Sequence, residues 1–359
     1  MKRILTGLAL GLMTTASVQA QATLESFYKD PDYQFTGVAV SQARRVFLNY
    51  PRWTPGRHKY DVVEILPDGG AKPFPNGKWN SWKPGDDAKT KWVCVQSVVV
   101  DDQDFLWVVD PASPEFAGVV GAGNKLVKID LRNDSVVRTY DLSSVAGPKS
   151  YLNDVRVDTQ RGVAYLTNSN EGGIIVVDLK SGAARQVLQG SASVLSDPAY
   201  SFTIAGAPLM AGGKPAKINS DGIALSPDRE WLFYKPLTDA KLYRIATADL
   251  RNAKLTAAEL SARVRTVGSF CTTDGMIFDK AGNLYLGDIE KSEIVRLGAD
   301  LKPVVIAQDA RLIWPDSYAI SEGWLYVTCT QINKMPRFND GKDQRTTPYS
   351  LYRFKLPRP

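Results

Sequence analysis

The sequence predicts an all-β protein folded as a six-bladed β-propeller. Three observations predict this fold: a short pattern occurs six times, each copy is typical of two strands joined by a turn, and the copies follow one another at similar intervals. The intervals between successive copies are 60, 57, 68, 53 and 42 residues. Because four-stranded blades repeat about every 40 to 50 residues, the longer intervals indicate inserted loops.

Each copy begins with one polar residue, here named the lead residue, which precedes an apolar strand, a polar turn and an aromatic-rich second strand. The segments SDGIALSPDREWLFY (220–234) and TTDGMIFDKAGNLYLGD (272–288) show the pattern most clearly. Short apolar strands separated by such turns are typical of β-hairpins. A β-sandwich is the alternative, but it does not require six similar units. The lead residues are Thr36, Gln96, Asn153, Asp221, Asp274 and Asp316.

Third strands of the blades are predicted at 125–131, 173–179, 241–247, 292–298 and 350–356, and fourth strands at 185–188 and 303–307. Closure of the ring requires the two ends of the chain to meet. We therefore expect a strand near residues 22–28 to complete the blade that contains 350–356.

The first twenty residues predict a secretory signal peptide. Lys2 and Arg3 precede an apolar run that extends to about Thr15, and small residues at Val18 and Ala20 indicate cleavage near Ala20. We expect a secreted or periplasmic protein in which residues 21–359 form a single propeller domain. No later stretch of the sequence reaches the roughly 20 apolar residues of a membrane helix, so no membrane partner is expected.

Composition excludes several classes of function. Without Lys2 and Arg3 the formal charge falls from +6 to +4, and no basic cluster is present, so nucleic acid is not an expected partner. The single histidine, His58, excludes histidine-based zinc sites, and no pattern indicates a nucleotide or haem. The cysteines allow at most one disulfide, with burial as small apolar side chains as the alternative, and they are Cys94, Cys271 and Cys329.

The lead residues are expected to converge at one end of the central channel, because the innermost strands of a propeller all run in the same direction. The carboxylates of Asp221, Asp274 and Asp316 would repel one another there, which predicts a bound cation. Oxygen ligands without histidine favour calcium over zinc or copper. The alternative is that these residues only cap their strands through local hydrogen bonds.

Features beside the lead residues predict the walls of a pocket. Tyr151, Phe270 and Trp314 each stand shortly before a lead residue, and aromatic faces beside carboxylates suit an organic cation. Packing of these rings between the blades is the alternative. The insertion at 196–219 is rich in glycine and proline and is predicted to be a lid, and residues 111–124 interrupt the second blade in a similar way.

Several phrases together resemble the yellow and major royal jelly protein family, in its bacterial branch. They are RVFLNYPRW, LWVVD, NDVRVD, DGIALSPDREWLFYKPL, WPDSYAI and MPRFNDGKDQRTTPYSLYRF. The resemblance extends through nearly the whole mature chain. It implies a protein that binds a small molecule, such as an amine, in its channel, and family association also implies a dopachrome-type tautomerase.

The sequence is more distantly similar to gluconolactonases and senescence marker proteins, six-bladed propellers whose calcium is held by a glutamate, an asparagine and an aspartate. That similarity places Asp221 at the asparagine, Asp274 at the aspartate and Asn153 at a neighbouring substrate-contacting asparagine. It implies calcium held by Asn153, Asp221 and Asp274, with Thr36, a poorer calcium ligand, in the place of the glutamate.

Small-molecule binding in the channel is the function that we favour from the sequence. The second hypothesis is a calcium-dependent lactonase-like hydrolase, in which Asp274 or Asp221 helps to activate water. A scaffold for protein interactions is a further alternative, because propellers often present their faces to partners. The predicted ligand-binding residues are Thr36, Gln96, Tyr151, Asn153, Phe270, Trp314 and Asp316.

Overall fold

The computed structural model describes residues 22–357, in which six four-stranded antiparallel sheets form the blades of a β-propeller. The predicted signal peptide lies outside the described residues. Strand β1 (Glu25–Asp30) belongs to the last blade. Blade 1 contains β2 (Val38–Val40), β3 (Val46–Asn49), β4 (Val62–Ile65) and β5 (Ala71–Pro73). Blade 2 contains β6 (Ser97–Val100), β7 (Phe105–Asp110), β8 (Lys125–Asp130) and β9 (Ser135–Asp141). Blade 3 contains β10 (Leu152–Asp158), β11 (Val163–Asn168), β12 (Ile174–Asp178) and β13 (Ala184–Val187).

The insertion before blade 4 forms two short hairpins, β14 (Thr203–Ile204) with β15 (Ala207–Pro208) and β16 (Met210–Ala211) with β17 (Lys214–Pro215). Blade 4 contains β18 (Ser220–Leu225), β19 (Trp231–Pro236), β20 (Lys241–Ala246) and β21 (Arg265–Ser269). Blade 5 contains β22 (Met276–Phe278), β23 (Leu284–Asp288), β24 (Glu293–Leu297) and β25 (Pro303–Gln308). Blade 6 contains β26 (Pro315–Ser321), β27 (Trp324–Cys329), β28 (Tyr349–Lys355) and β1.

The ring closes as the sequence predicts. Strand β1 pairs with β28 from Glu25, opposite Arg353, to Asp30, opposite Tyr349. The innermost strands β2, β6, β10, β18, β22 and β26 each contact the next one, and β26 contacts β2. The predicted six-bladed propeller is therefore confirmed.

Six clusters of buried apolar residues lie at the six junctions between neighbouring blades, and three smaller ones lie under the loops. For example, Phe47 and Phe74 of blade 1 pack against Leu106 of blade 2. Inner strands such as β11 bury residues on both faces, because a neighbouring blade covers each face of the sheet, whereas outer strands such as β9 are mostly exposed. The three cysteines are buried and free, and Cys329 and Cys271 belong to two of these clusters.

Two short helices lie between β20 and β21, in a segment for which the sequence analysis predicts no helix. They are α1 (Thr247–Arg251) and α2 (Ala257–Ala262). Helix α2 begins with a capping box, in which Thr256 accepts from the backbone N–H of Glu259 and the Glu259 side chain accepts in return. Short 3-10 helices occupy Pro114–Phe116, Ile332–Lys334 and Pro336–Phe338. No helix within residues 22–357 has the length and apolarity needed to span a membrane.

Candidate ligand-binding site

Irregular backbone positions several of the lead residues at one end of the channel. The pairing between the first two strands shifts register within residues 152–155 of blade 3, 220–223 of blade 4 and 315–318 of blade 6. Each of these intervals contains the lead residue of its blade. A β-bulge redirects a side chain out of the regular alternation, and bulges are common beside functional sites.

The glycine that follows a lead residue is required by the neighbouring innermost strand. A Cβ atom on Gly222 would lie 2.3 Å from the carbonyl oxygen of Asp274, and one on Gly275 would lie 2.3 Å from the carbonyl oxygen of Asp316. The backbone N–H of Gly275 donates to that same Asp316 oxygen over 2.8 Å. Because only glycine allows so close an approach of two backbones, the acid–glycine pair recurs where first strands meet.

Two carboxyl groups form the floor of a cavity of about 440 Å³ at this end of the channel. Asp221 Oδ2 accepts from Asn153 Nδ2 over 2.8 Å, and Asp274 Oδ2 accepts from Trp314 Nε1 over 2.7 Å. All four side chains line the cavity, and both aspartates are at most 5 % exposed. The structure thus brings together Asn153, Asp221 and Asp274, the lead residues of three consecutive blades.

Burial is the first cause that shifts the ionisation of both carboxyl groups from that of an exposed aspartate. Burial, followed by the charge of Asp274, raises the pKa of Asp221 well above its usual range. Burial also raises the pKa of Asp274 to about 6. Each of these carboxyl groups therefore keeps its proton to a higher pH than an exposed aspartate does.

The protein supplies two cations near the floor. Arg156 donates to Asp154 over 3.0 Å and to the carbonyl of Met276 in blade 5 over 2.7 Å, so its side chain links two blades across the channel. The Lys235 ammonium donates to the backbone carbonyl of Asp239 over 2.6 Å. It also interacts electrostatically with the carboxyl groups of Asp221 and Asp274. Burial lowers the pKa of Lys235 to about 8.

Four carboxyl groups therefore lie at or near the floor, together with these two cations. They are Asp154, Asp221, Asp274 and Asp316. If all four carboxyl groups were ionised, the region would carry a net charge of about −2, because Arg156 and Lys235 offset two of the four charges. The floor is thus suited to a positively charged ligand.

Three predicted site residues do not line the cavity. The Thr36 hydroxyl donates to the carbonyl of Gln96 over 3.0 Å and accepts from Asn49 over 2.8 Å, so it links two blades. Phe270 packs in the cluster between blades 4 and 5, as the alternative interpretation of the aromatic residues expects. Asp316 is buried, its Oδ2 atom has no hydrogen-bond partner in the described chain, and burial and the charge of Asp274 raise its pKa.

A chain of hydrogen bonds leads from the floor to the aromatic wall. Asn153 Oδ1 accepts from Gln96 Nε2 over 3.4 Å, and Gln96 Oε1 accepts from the Tyr151 hydroxyl over 2.9 Å. That hydroxyl in turn accepts from Trp53 Nε1 over 2.7 Å. Gln96 and Tyr151, both predicted from the sequence, therefore line the cavity together with Trp53, which was not predicted.

Loops supply the residues that the sequence analysis missed. Phe116, from the loop 111–124, stacks on Trp53 with ring centroids 5.1 Å apart and on Tyr151 at 5.2 Å. The guanidinium of Arg337, from the loop after β27, lies 4.2 Å from the centre of the Phe116 ring. None of these loop residues belongs to the repeated pattern, so the repeat could not reveal them.

The predicted lid at 196–219 packs over one side of the cavity. Phe202 contacts Trp314 edge to face, with ring centroids 5.7 Å apart, and Lys217 and Ile218 line the cavity itself. Lys217 donates to three backbone carbonyls of the same insertion, those of Asp197, Pro198 and Tyr200, at 2.8 to 3.3 Å. The insertion is therefore an ordered wall of the site.

The residues present offer an incomplete set of ligands for calcium. Asn153, Asp221 and Asp274 could supply three side chains with oxygen donors, whereas calcium takes 6 to 8 oxygen ligands. The hydroxyl of Thr36, at the fourth position that the similarity implies, is already engaged by two partners. Within residues 22–357, no group of three or more His, Cys, Asp or Glu side chains is arranged to hold a metal ion.

Several solved structures are similar to this chain in fold and have low sequence identity to it. A gluconolactonase from Xanthomonas campestris superposes with a TM-score of 0.57 at 13% identity, covering 96% of this chain and 94% of the other. A virginiamycin B lyase from Staphylococcus aureus has a TM-score of 0.53 at 12% identity, with coverages of 94% and 100%. The calcium-binding protein regucalcin from Agrobacterium tumefaciens has a TM-score of 0.53 at 11% identity, with coverages of 92% and 96%.

At these identities the structural similarity shows the fold alone. No curated protein sequence matches the chain. The family model described as "Major royal jelly protein" matches residues 93–347, which is more than half of the chain. The expectation drawn from the sequence phrases is thereby confirmed, and this chain belongs to the major royal jelly protein family.

Proposed function

We propose that this protein binds a small organic cation, an amine, in the channel cavity. The observation that carries the proposal is the pair of buried carboxyl groups of Asp221 and Asp274, whose nearest donors in the cavity wall are the neutral groups of Asn153 and Trp314. An ammonium group placed between them would donate to the carboxylate oxygens. It would also favour the ionised carboxylates that burial disfavours, which is the first cause of both elevated pKa values.

The walls suit the apolar part of such a ligand. Tyr151, Trp314, Trp53 and Phe116 line the same cavity, and aromatic faces attract a cation as well as stacking on a flat ligand. The volume of about 440 Å³ lies within the range of about 300 to 1,000 Å³ that is usual for small-molecule sites. The structural neighbours include enzymes named for small-molecule substrates, which supports a small-molecule ligand, and the choice of an amine rests on the two carboxyl groups.

The proposal is tested by calorimetric titration with 2-phenylethylamine and with 2-phenylethanol, which has a similar shape and no charge. We expect the amine to bind and the alcohol to bind at least tenfold more weakly. Asp274→Asn and Asp221→Asn should each weaken amine binding by at least about 30-fold, because loss of one partner of a buried charge pair costs about 2 to 5 kcal/mol.

The matched control is Asp300→Asn, which removes an exposed carboxylate far along a blade-5 turn and should leave amine binding unchanged. Equal affinity for the amine and the alcohol would contradict the proposal. So would unchanged amine binding by both floor variants.

A second candidate function is metal-dependent, lactonase-like hydrolysis. The meeting of Asn153, Asp221 and Asp274 at one floor favours it, and the neighbours include a gluconolactonase and a calcium-binding protein. A bound divalent cation would polarise the ester carbonyl, while Asp221 or Asp274 would accept a proton from water. The incomplete ligand set described above is the reason for ranking this function second.

Chelator-treated protein should be assayed for lactone turnover with and without added calcium. Calcium-dependent turnover that Asp274→Ala abolishes would establish the hydrolase and overturn a purely binding role. Lactones left intact in both conditions would remove this candidate.

Export of the protein, with cleavage near Ala20, stays a prediction that the mass of the mature protein would test.

A further inference from the structure

The rim of the cavity carries positive charge, in contrast to its acidic floor. Arg337 and Lys149 line the same cavity as Asp221 and Asp274. The Arg337 guanidinium lies 4.2 Å from the centre of the Phe116 ring and 5.1 Å from that of Phe338, so two aromatic faces hold it in place.

These two rim cations are not committed to partners in the protein. Across residues 22–357, neither the Arg337 guanidinium nor the Lys149 ammonium forms an ion pair or a side-chain hydrogen bond. Lys217, the other cation of the lining, differs because its ammonium group is bound to three carbonyls of the lid insertion. A guanidinium that is positioned by aromatic rings and still has free N–H donors is well prepared to bind a carboxylate or a phosphate.

Floor and rim are joined by one continuous wall. It runs from Asp221 through Asn153 and Gln96 to Tyr151 by hydrogen bonds, and from Tyr151 through Phe116 to Arg337 by stacked contacts. A ligand lying along this wall would meet carboxylates at one end, aromatic faces in the middle and cations at the other end.

We propose that the natural ligand is bipolar: its ammonium group binds Asp221 and Asp274, its flat apolar middle lies against Tyr151 and Phe116, and an anionic oxygen group at its far end binds Arg337 and Lys149. This inference rests on the proposed function, because it assumes the amine site on the floor, and it adds a second charged subsite and a ligand class. The anionic group is a carboxylate or a phosphate, since both match the fork of a guanidinium.

The test compares three probes that share the same aromatic amine and differ only at the far end. They are 2-phenylethylamine, 4-(2-aminoethyl)benzoate and the phosphate ester of tyramine. We expect at least one of the two acidic amines to bind the wild-type protein at least tenfold more tightly than 2-phenylethylamine, with a preference that weakens as salt is added. The preferred probe identifies the anionic group.

The variants Arg337→Gln and Lys149→Gln separate the rim from the floor. Each should reduce the preference for the acidic amine over 2-phenylethylamine at least fivefold, and the double variant should abolish it. Arg132→Gln, which removes an exposed guanidinium from the turn between β8 and β9, is the matched control and should leave the preference unchanged.

The possible failures are distinguishable. If 2-phenylethylamine binds as tightly as both acidic amines, or if the preference survives in the double variant, the bipolar ligand is wrong and the amine site stands. If none of the three amines binds, the proposed function is wrong, and this inference falls with it.

Discussion

Aspartate occupies three consecutive lead positions, yet its three side chains have different surroundings. Asp221 accepts from an amide, Asp274 accepts from an indole, and Asp316 has a carboxyl oxygen with no partner in the described chain. All three are buried, and burial is the first cause of the elevated pKa in each. The ligand-free protein therefore holds protons here that an unfolded chain would release.

Asp274→Asn should change the pH dependence of stability. The native pKa of about 6 lies above the unfolded value of about 3.9, so native Asp274 keeps its proton between these values and stability falls as pH rises through this window. Since one pKa unit corresponds to about 1.4 kcal/mol and the unfolded carboxyl is already partly ionised at pH 4, wild type should lose about 2 kcal/mol from this residue between pH 4 and pH 7. Asparagine cannot ionise, and it keeps an oxygen for Trp314.

Denaturant unfolding of ligand-free protein at pH 4 and pH 7 measures this difference. Relative to wild type, Asp274→Asn should become more stable by about 2 kcal/mol as the pH rises over that interval. The same comparison for Asp300→Asn should show little change. A difference between Asp274→Asn and wild type that stays constant with pH would contradict the assignment of the elevated pKa.

At the scale of the elements, the innermost strands pack backbone against backbone. Strand β18 approaches the segment before β22 so closely that Gly222 faces the carbonyl oxygen of Asp274. The repeat itself predicts the strands, but the reason for its glycine becomes visible only when two blades are placed side by side. Thr36 differs from the prediction for it: the sequence predicts a ligand contact, but its hydroxyl links blades 1 and 2.

Gly222→Ala should destabilise the propeller because its Cβ would lie 2.3 Å from a backbone atom that cannot move alone. Overpacking of this kind typically costs about 1 to 3 kcal/mol, and we expect about 2 to 3 kcal/mol by denaturant unfolding. Gly147→Ala is the control, because an added Cβ at Gly147 meets no atom within 4 Å. Equal stability of the two variants would show that the two strands can move apart without a loss of stability.

The predicted strands agree closely with the structure, whereas the loops hold most of what the sequence did not reveal. The third strands begin and end within one residue of their predicted positions, as at Lys241–Ala246 and Glu293–Leu297. Strands could be found because alternating apolar residues and turns are local signals. Phe116 and Arg337 lie in irregular loops, where no periodicity indicates which side chain turns inward.

At the scale of the whole molecule, stability depends on closing the ring. Strand β1 is the outer strand of blade 6, and it joins the start of the described chain to its end. Leu24, just before β1, packs in the cluster between blades 5 and 6, and the ring of Phe27 lies edge to face with Tyr326 at 5.1 Å. Closure therefore combines backbone pairing with apolar burial.

Deletion of residues 22–30 should lower the free energy of unfolding by about 3 to 6 kcal/mol. It removes the large apolar side chains of Leu24 and Phe27, and burial of each contributes about 1.5 to 3 kcal/mol. It should also cause association, because the edge of β28 becomes unpaired. Calorimetry and light scattering measure the two effects. Glu25→Gln removes only an exposed ion pair with Arg353 and should change stability by less than about 1 kcal/mol. A thermal unfolding transition that is unchanged after the deletion would show that the closed ring does not depend on β1.

The number of blades, the strands within them and the polar residue that leads each blade could all be predicted from the sequence. These follow from periodicity and turn chemistry, which act over a few neighbouring residues. The tertiary arrangement was needed to show that Gln96, Asn153, Asp221 and Asp274 share one cavity, that Thr36 and Asp316 lie outside its lining, and that Arg337 lines it too. These outcomes depend on how closely neighbouring blades approach and on where loops return, and both are set by contacts between residues far apart in the chain.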